Sequence, residues 1–327
     1  MKKIGILGGG VWGSALAKVL SSSKVCIFAR NKKIVDSIND YKINPNLKFS
    51  TFNKNVSSSS NIKDLEDSDF LFIALPAQNI RDVIVNYKIK NKDQQIIIAS
   101  KGIEMETNLF LSDVIKKILK TDKVSVISGP SFSDEVAQNL PTAVTLACST
   151  KEIFDKINLL FVSKNFRLYF SDDIMGCQLG GAIKNIYAIA SGISIGLNLG
   201  ENARSSLITR SFVEISRIGK FFNINQKTLF GLSCLGDLIL TCGSIKSRNT
   251  KFGNLIASQQ NISIKDHLES LSTTEGYYSV KAFKFIATKK KIDMPIMDAV
   301  YNILYKKSSI PNEIKNLLER PSGDEIF

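Results

Sequence analysis

Three groups of polar residues interrupt apolar or glycine-rich stretches of this sequence and could carry out chemistry. The first group, Ser100-Lys101-Gly102, directly follows an apolar run. Lys184 and Asn185 stand in a long apolar stretch, and Asp237 precedes the triplet Ser247-Arg248-Asn249. A lysine that leaves water loses solvation, which lowers its pKa and lets it exchange protons near neutral pH. Because a lysine is rarely buried unless it is paired or functional, Lys184 is the strongest candidate for proton transfer.

The triplet Ser247-Arg248-Asn249 predicts a binding site for an anion. Its hydroxyl, guanidinium and amide groups together suit a phosphate or a carboxylate. Asp237 could pair with Lys184 or orient it. Lys101 follows a predicted strand, at the sheet edge where ligands bind, although a surface lysine in a turn would give the same pattern.

A glycine turn near the start of the chain predicts a dinucleotide site. Gly8, Gly10 and Gly13 follow a predicted strand and open a predicted helix, which is the context that this motif requires. Gly8 allows a tight turn, Gly10 lets the backbone approach a pyrophosphate, and Gly13 lets helix and strand pack closely. The N–H groups at the start of the helix then face the phosphates.

Arg30 bears on which nicotinamide dinucleotide is bound. It stands about twenty residues after the turn, where an acidic residue would hydrogen-bond the ribose 2′-hydroxyl of NAD. A guanidinium suits the 2′-phosphate of NADP instead. NADP is therefore favoured over NAD, although an Arg30 that stacks on the adenine or faces solvent would leave NAD as the cofactor.

The elements that must position these residues change in kind halfway along the chain. The first half alternates apolar runs with helical stretches, which predicts an α/β fold with a parallel, doubly wound, Rossmann-like sheet. We expect a dinucleotide-binding domain over 1–175 and an all-helical substrate-binding and catalytic domain over 176–327. Residues 57–60, four serines, are interpreted as a solvated loop. The expected strands are 3–7, 24–29, 69–75, 95–99, 124–128, 142–147 and 167–170. The expected helices include 13–22, 80–87, 109–119, 179–195, 203–222, 277–288 and 294–305.

The amino-acid composition bears on four questions: nucleic-acid binding, metal binding, cellular compartment and membrane insertion. The net charge of +13 could indicate a polyanionic partner, but the basic residues are dispersed, so we expect no nucleic acid. A single histidine, His267, argues against a histidine-based metal site, and no metal is expected. Five scattered cysteines without a CxxC pair favour a reducing, cytoplasmic location. The apolar stretch 179–199 holds Lys184 and Asn185, which favours a buried helix over membrane insertion.

The N-terminus resembles a secretory signal, since two lysines precede an apolar stretch that ends in small residues. The spacing of its glycines, and the strand expected after it, favour the dinucleotide turn instead.

Eight segments in order resemble the bacterial NAD(P)-dependent glycerol-3-phosphate dehydrogenases over nearly the whole chain. They are 8–13 (GGGVWG), 101–104 (KGIE), 129–132 (GPSF), 180–185 (GGAIKN), 202–204 with 207–210 (NAR, LITR), 235–238 (LGDL), 247–249 (SRN) and 275–277 (EGY).

The resemblance implies the reduction of dihydroxyacetone phosphate by NAD(P)H to sn-glycerol 3-phosphate, which supplies glycerophospholipid biosynthesis. It implies that Lys184 exchanges the proton at the substrate C2 oxygen. A homodimer is a further possibility. The substrate-binding residues that it implies are Lys101, Gly129, Ser131, Lys184, Asp237, Ser247, Arg248 and Asn249. The implied cofactor-binding residues are Gly8, Gly10, Val11, Trp12, Gly13, Arg30, Lys101, Ser133, Arg248 and Glu275.

The sequence departs from the family pattern at several positions. Val11 stands where a small polar residue is common, Ser133 replaces an alanine, and Cys234 replaces a glycine. The segment Asn44-Pro45-Asn46-Leu47 only partly keeps the family's Tyr-Leu-Pro stretch. This last change puts the contacts on the nicotinamide side of the cofactor in question.

Two alternatives stay open at this point. A β-hydroxyacid dehydrogenase or ketopantoate-type reductase also joins a dinucleotide domain to a helical domain with a catalytic lysine, but Asp237 and the triplet Ser247-Arg248-Asn249 speak against it. A non-catalytic NADP-binding redox sensor would have no need of Lys184, Asn185 and Asp237, which are all present.

Overall fold

The computed structural model of the chain describes residues 1–47, 51–89, 93–259, 261–271 and 273–321. Two compact units emerge. The first consists of Met1–Lys101 and Phe110–Gln178, and the second joins Gly102–Leu109 to the chain from Leu179 onward. The domain boundary expected between residues 175 and 176 stays a prediction.

The first unit is built on an eight-stranded sheet with the order β3-β2-β1-β4-β5-β6-β7-β8. Its strands are β1 (Lys3–Leu7), β2 (Lys24–Phe28), β3 (Val56–Ser59), β4 (Phe70–Ile73), β5 (Gln95–Ile98), β6 (Val124–Ser128), β7 (Thr142–Ala147) and β8 (Phe166–Ser171). Its helices are α1 (Val11–Val19), α2 (Lys32–Tyr41), α3 (Ile80–Asn86), α4 (Leu111–Leu119), α5 (Ser133–Ala137) and α6 (Lys151–Asn158), and short 3-10 turns lie at Ile62–Leu65 and Ala77–Asn79.

Apolar residues cover both faces of this sheet. Phe70 and Phe72 of β4 belong to one hydrophobic cluster, and Leu71 and Ile73 belong to a second. Because successive side chains of a strand point to opposite faces, the two clusters lie on the two sides of the sheet. The predicted doubly wound, Rossmann-like architecture is thereby confirmed.

The interpretation of residues 57–60 as a loop was wrong, because Val56–Ser59 forms the edge strand β3, parallel to β2. Serine has a weak preference for strands, so the pattern carried no strand signal. The pairing is supported by side chains instead. The Ser58 hydroxyl donates to the carbonyl oxygen of Ile27 at 2.9 Å, and the Ser57 hydroxyl donates to that of Val25 at 3.3 Å.

The expectation of a wholly parallel sheet was also wrong at one pairing, because β7 runs antiparallel to β6. A parallel neighbour needs a connection that returns along the whole strand. The connection between β6 and β7 holds only α5, whose five residues span about 7.5 Å at 1.5 Å per residue. The longer α6 returns the chain between β7 and β8, which are parallel.

The second unit is helical, as predicted, and its described residues contain no strand. It is organised on α7 (Ile174–Gly196), which begins in the first unit and is buried along most of its length. The other helices are α8 (Gly200–Phe221), α9 (Gln226–Leu229), α10 (Asp237–Cys242), α11 (Arg248–Ser258), α12 (Ile264–Ser270), α13 (Glu275–Lys290), α14 (Pro295–Lys306) and α15 (Ile310–Leu318).

Small residues on α7 allow its neighbours to approach closely. A Cβ atom on Gly192 would lie 2.0 Å from the carbonyl oxygen of Thr250 in α11. In the opposite direction, a Cβ on Gly253 of α11 would lie 2.0 Å from the carbonyl oxygen of Ile189. No side chain fits either space, so α7 and α11 are packed backbone to backbone.

A buried carboxyl group joins three helices of this unit. Glu214 of α8 is 1% exposed, and its two oxygens accept the N–H groups of Ile296 at 2.6 Å and Met297 at 3.1 Å, at the start of α14. The hydroxyl of Tyr187 in α7 lies 3.1 Å from the same carboxyl. Burial raises the pKa of Glu214 to about 7, although these hydrogen bonds and the charge of Arg217 lower it.

We predict that Glu214 makes the protein less stable as the pH rises from about 4.5 to about 7. Its pKa is raised in the folded state, so its contribution is complete below the unfolded pKa and is lost as the pH passes the folded one. The loss is on the order of 3 kcal/mol, at 1.36 kcal/mol per pKa unit. Urea denaturation at several pH values between about 4.5 and about 7 gives the free energy of unfolding. For Glu214→Gln this free energy should depend less on pH than for wild type. Tyr187→Phe keeps the carboxyl but removes a hydrogen bond that lowers its pKa, so the pH dependence of its free energy of unfolding should persist and extend to higher pH. An equal pH dependence for wild type and Glu214→Gln would refute the assignment.

Candidate active site

The glycine turn follows β1 and begins α1, as the motif predicts. Gly8 has φ +133°, and a Cβ there would lie 2.5 Å from the carbonyl oxygen of Ala74. A Cβ on Gly13 would lie 2.0 Å from the carbonyl oxygen of Gly8. Any side chain at either position would therefore push α1 away from the strands.

Gly10 differs from these two glycines, because no atom lies within 4 Å of a Cβ placed on it. It is exposed and is the N-cap residue of α1. The first N–H groups of a helix have no partner inside the helix, and together with the helix dipole they attract anions. The open space at Gly10 therefore fits the pyrophosphate of a dinucleotide.

Arg30 follows β2 and is exposed, in a cleft that Asn79, Asp82 and Tyr87 also line. The ring of Tyr87 packs edge-on against Phe28, the last residue of β2, with 5.4 Å between the ring centroids. The guanidinium of Arg30 and the carboxylate of Asp82 thus line the same cleft. A 2′-phosphate would meet both charges, so Arg30 alone does not decide the cofactor preference.

Lys101 and Ser131 converge on one carbonyl group beyond β5 and β6. The ammonium group of Lys101 donates to the carbonyl oxygen of Gly129 at 2.7 Å, and the Ser131 hydroxyl donates to the same oxygen at 3.0 Å. Gly129 has φ +147°, and its Cβ would lie 3.0 Å from the backbone of Val144. Three predicted substrate-binding residues of the first unit thus form one hydrogen-bonded group.

In the second unit, Lys184 lies within a buried polar cluster. Its side chain is 8% exposed, and its ammonium group donates to Asp237 Oδ1 at 2.7 Å and to Thr241 Oγ1 at 2.5 Å. Thr241 Oγ1 lies 3.4 Å from the same oxygen of Asp237. A buried ammonium needs a counter-charge and hydrogen-bond acceptors, and α10 supplies both from one face.

Thr241 was not among the residues predicted from the sequence. Helical periodicity could have predicted it, because a residue four positions after Asp237 lies on the same face of a helix. A threonine there offers a hydroxyl to any group that Asp237 binds.

Asn185 extends the polar cluster to two further helices. Its Oδ1 accepts the side-chain N–H of Asn249 at 3.0 Å, and Asn249 Oδ1 accepts the backbone N–H of Gly276 at 2.9 Å. A Cβ on Gly276 would lie 2.4 Å from the carbonyl oxygen of Asn185. The amide of Asn249, predicted to bind substrate, therefore also fixes the start of α13 against α7.

Gly180 and a turn of π-helix place Asp237. The π turn, Leu232–Gly236, leads directly into α10. A Cβ on Gly180 would lie 2.6 Å from the carbonyl oxygen of Ser233 and 2.7 Å from the Cβ of Cys234. Since the turn lies directly against α7, Asp237 comes within reach of Lys184.

The triplet Ser247-Arg248-Asn249 lies at the N-terminus of α11. Ser247 is buried and caps the helix, accepting the N–H of Thr250 at 3.3 Å. Arg248 is the first helical residue, and its charge interacts with that of Glu275 at the start of α13. A cationic side chain and the N–H groups of an 11-residue helix together favour an anion at this point.

The remaining predicted cofactor residues lie in the first unit. Val11 is exposed at the start of α1, and the indole N–H of Trp12 donates to the carbonyl oxygen of Ala99 at 2.9 Å. Ser133 is half-buried as the first residue of α5. Their roles stay predictions.

The described part of the chain has neither a metal-binding cluster nor a helix that could span a membrane. It contains no group of three or more His, Cys, Asp and Glu side chains that could hold a metal ion. None of its helices combines the length and the apolar character that a membrane span requires.

A glycine turn on a doubly wound sheet and a buried lysine–aspartate pair in a helical unit are features of nicotinamide-dependent dehydrogenases. The chain matches the family models of the NAD-dependent glycerol-3-phosphate dehydrogenase N-terminus over residues 3–154 and of the C-terminus over residues 173–315. It belongs to this family, and the resemblance seen in the eight segments is confirmed.

Individual relatives are similar in sequence over nearly the full length of the chain. The chain is 38% identical to the NAD(P)+ glycerol-3-phosphate dehydrogenase of Zymomonas mobilis, over 98% of this chain and 94% of that protein. It is also 38% identical to that of a Thermotoga species, over 98% of both. The crystal structure of the Coxiella burnetii glycerol-3-phosphate dehydrogenase is similar with a TM-score of 0.91 at 35% identity, over 98% of this chain and 99% of that one.

We predict that Asp237→Ala lowers the free energy of unfolding by about 3–5 kcal/mol, because it leaves the ammonium group of Lys184 buried without its counter-charge. The double variant Lys184→Met/Asp237→Leu should recover most of this loss, since it removes both charges. Urea denaturation measures both effects.

The matched control is Lys284→Ala, which breaks the more exposed pair of Lys284 and Asp298 at 2.8 Å. Breaking it should cost about 1 kcal/mol or less. Equal losses for Asp237→Ala and Lys284→Ala would contradict the importance of the buried pair.

Proposed function

We propose that this chain reduces dihydroxyacetone phosphate to sn-glycerol 3-phosphate with NADPH or NADH, reversibly. The observation that carries the proposal is the buried cluster of Lys184, Asp237 and Thr241. Family membership indicates the substrate, and the cluster contains the proton donor that the reaction needs, the ammonium group of Lys184. Reduction of a ketone requires a proton donor for the alkoxide that forms, in a place shielded from bulk water.

Lys184 is the proposed proton donor to the C2 oxygen of the substrate. Its ammonium group gives one proton to the alkoxide and becomes a neutral amine, and the reverse reaction restores the ammonium. Asp237 and Thr241 keep the ammonium in one orientation while it is charged. When bound, the nicotinamide of the cofactor supplies the hydride to C2.

The glycine turn is the proposed binding site for the cofactor's pyrophosphate. Gly10 leaves the space open, and the start of α1 presents N–H groups to it. The remaining cofactor residues proposed from the family resemblance are Gly8, Val11, Trp12, Gly13, Arg30, Lys101, Ser133, Arg248 and Glu275.

The start of α11 is the proposed binding site for the substrate phosphate. Arg248 supplies a guanidinium, and the backbone N–H groups there add to its attraction for an anion. The buried Ser247 and Asn249 hold this helix end in place through their hydrogen bonds. Lys101, Gly129 and Ser131 are the substrate-binding residues proposed for the first unit.

The location, the metabolic role and the oligomeric state of the enzyme are proposed from the sequence and from the family. We place it in the cytoplasm, where glycerol 3-phosphate would supply glycerophospholipid biosynthesis. We also propose that the enzyme forms a homodimer and that its dinucleotide-binding domain ends at residue 175. The small-molecule substrate would be its principal partner.

We predict that Lys184→Ala lowers kcat for dihydroxyacetone phosphate by at least about 100-fold, the scale of general acid–base catalysis. The Kd for NADPH should change little, because Lys184 is not among the proposed cofactor-binding residues. Steady-state kinetics and a fluorescence titration give the two values. Lys284→Ala removes another paired lysine of the same unit and should keep full activity, whereas unchanged turnover in Lys184→Ala would refute the role of Lys184.

The same assay tests the substrate. Wild-type protein with NADPH should turn over dihydroxyacetone phosphate and should be inactive on ketopantoate. The reverse pattern would replace the proposed reaction with that of a ketopantoate-type reductase.

We predict that Arg30→Ala lowers kcat/KM for NADPH by about tenfold, which corresponds to about 1.4 kcal/mol. The value for NADH should stay within about twofold, because only NADPH carries the 2′-phosphate. Lys33→Ala removes a neighbouring exposed cation and is the control. Equal losses with both cofactors would mean that Arg30 does not recognise the 2′-phosphate.

A further inference from the structure

Asn44 is buried, with 2% of its surface exposed, and its amide group lies against the glycine turn. Its Nδ2 donates to the carbonyl oxygen of Gly9 at 3.0 Å and to the hydroxyl of Ser14 at 2.7 Å. Its Oδ1 accepts the backbone N–H of Asn46 at 2.9 Å. One side chain therefore connects the glycine turn, the first turn of α1 and its own loop.

The loop that carries Asn44 is itself anchored. Helix α2 ends at Tyr41, and the left-handed backbone of its C-cap residue Lys42, φ 56°, redirects the chain. Ile43 then forms a β-bridge with Thr51. Leu47 is 3% exposed and belongs to the same hydrophobic cluster as Leu16 of α1. Contacts on both sides of Asn44 therefore fix the segment that brings its amide to the turn.

Three consecutive glycines make the turn mobile unless something restrains it. Each glycine has more backbone freedom to lose than any other residue. The backbone N–H groups at the start of α1 bind a pyrophosphate well only if their directions are already set, since ordering them on binding costs affinity. Asn44 bonds on both sides of these groups, to Gly9 before them and to Ser14 after them.

We propose that Asn44 is a positioning residue for the dinucleotide, because its amide holds the glycine turn and the start of α1 in the conformation that binds the pyrophosphate. This inference rests on the proposed binding of the cofactor at the glycine turn. It assigns a function to the segment that departs from the family's Tyr-Leu-Pro stretch. Asn44 acts on the backbone that binds the cofactor.

The chain offers a direct reporter of this turn. Trp12 is its single tryptophan, lies within the glycine motif and donates its indole N–H to the carbonyl oxygen of Ala99. All tryptophan fluorescence therefore comes from the turn itself. Its anisotropy and its quenching by acrylamide report the local mobility, and its response to NADPH reports binding without any substrate.

The experiment compares Asn44→Ala with Asn39→Ala. Asn39 also makes two hydrogen bonds with its amide, to the carbonyl oxygen and the N–H of Ser58 at 2.8 Å each, but these join α2 to β3. Asn44→Ala should raise the Kd for NADPH by about tenfold or more, since two hydrogen bonds that orient the site are lost. It should also lower the anisotropy of Trp12. Asn39→Ala should change neither value.

The steady-state parameters separate positioning from general damage. In Asn44→Ala, the KM for NADPH should rise with its Kd. The kcat at saturating NADPH and the KM for dihydroxyacetone phosphate should stay within about twofold of wild type, because binding energy is lost equally from ground and transition states. A proportional fall in kcat with an unchanged KM for NADPH would overturn the proposal.

Ser14→Ala gives a second, milder test that does not depend on the folding of Asn44→Ala. It removes one of the two acceptors of Asn44 and places a good helix former in α1. The Kd for NADPH should rise by about threefold, less than in Asn44→Ala, in keeping with the loss of one hydrogen bond.

An unchanged Kd in Ser14→Ala and in any folded Asn44 variant would refute the proposal, and so would an equal rise in Asn39→Ala. These binding measurements contain no substrate. A failure to turn over dihydroxyacetone phosphate would therefore count against the proposed reaction alone.

Discussion

The buried charge of Lys184 sets the requirements that the surrounding helices meet. Water cannot solvate an ammonium group in the middle of α7, so protein groups must, and Asp237 and Thr241 do so from consecutive turns of α10. This pairing works only if α10 lies close to α7. Gly180 permits that approach, because it leaves room for the π turn that leads into α10. Gly180, one helical turn before Lys184, is therefore constrained by the same pairing. A bulkier residue at position 180 would move the counter-charge of Asp237 away from the ammonium group.

The glycine turn of the first unit has a different requirement, because the proposed pyrophosphate site needs backbone groups that a ligand can reach. Gly8 and Gly13 have no space for a side chain because strand and helix lie in direct contact there, whereas Gly10 has open space in front of it. The same residue type therefore has two roles within six positions. Two of the glycines bring α1 against the sheet, and the third leaves the start of the helix accessible. The amide of Asn44 adds the restraint that glycine cannot provide.

Much of this arrangement could be predicted from the sequence because the signals were local. The apolar runs of β1, β6 and β7 predicted their bounds without error, since strands covered on both faces are continuous in apolar residues. The strand β3 was missed because its serines bond to β2 through their hydroxyls, a tertiary effect that propensity does not carry. The direction of β7, antiparallel to β6, was not predicted, since it depends on the connection between the two strands and not on the residues of β7. Thr241 was within reach of helical periodicity. Asn44 was not, because its partners stand 30 and 35 positions away in the chain.

The two units also differ in which substitutions they can tolerate. In the helical unit, side chains bond to side chains, so a change at Lys184, Asp237 or Thr241 removes a charge or an acceptor directly. In the first unit, the backbone at the glycine turn is the proposed binding site of the pyrophosphate, and the neighbouring Asn44 is constrained because it bonds to that backbone. The segment Asn44-Pro45-Asn46-Leu47 shows the consequence. Its amide at position 44 bonds to the turn and its leucine at position 47 is buried, so these two positions are constrained by contacts with α1 and its turn. The segment can therefore differ from the family pattern at other positions and still hold the glycine turn.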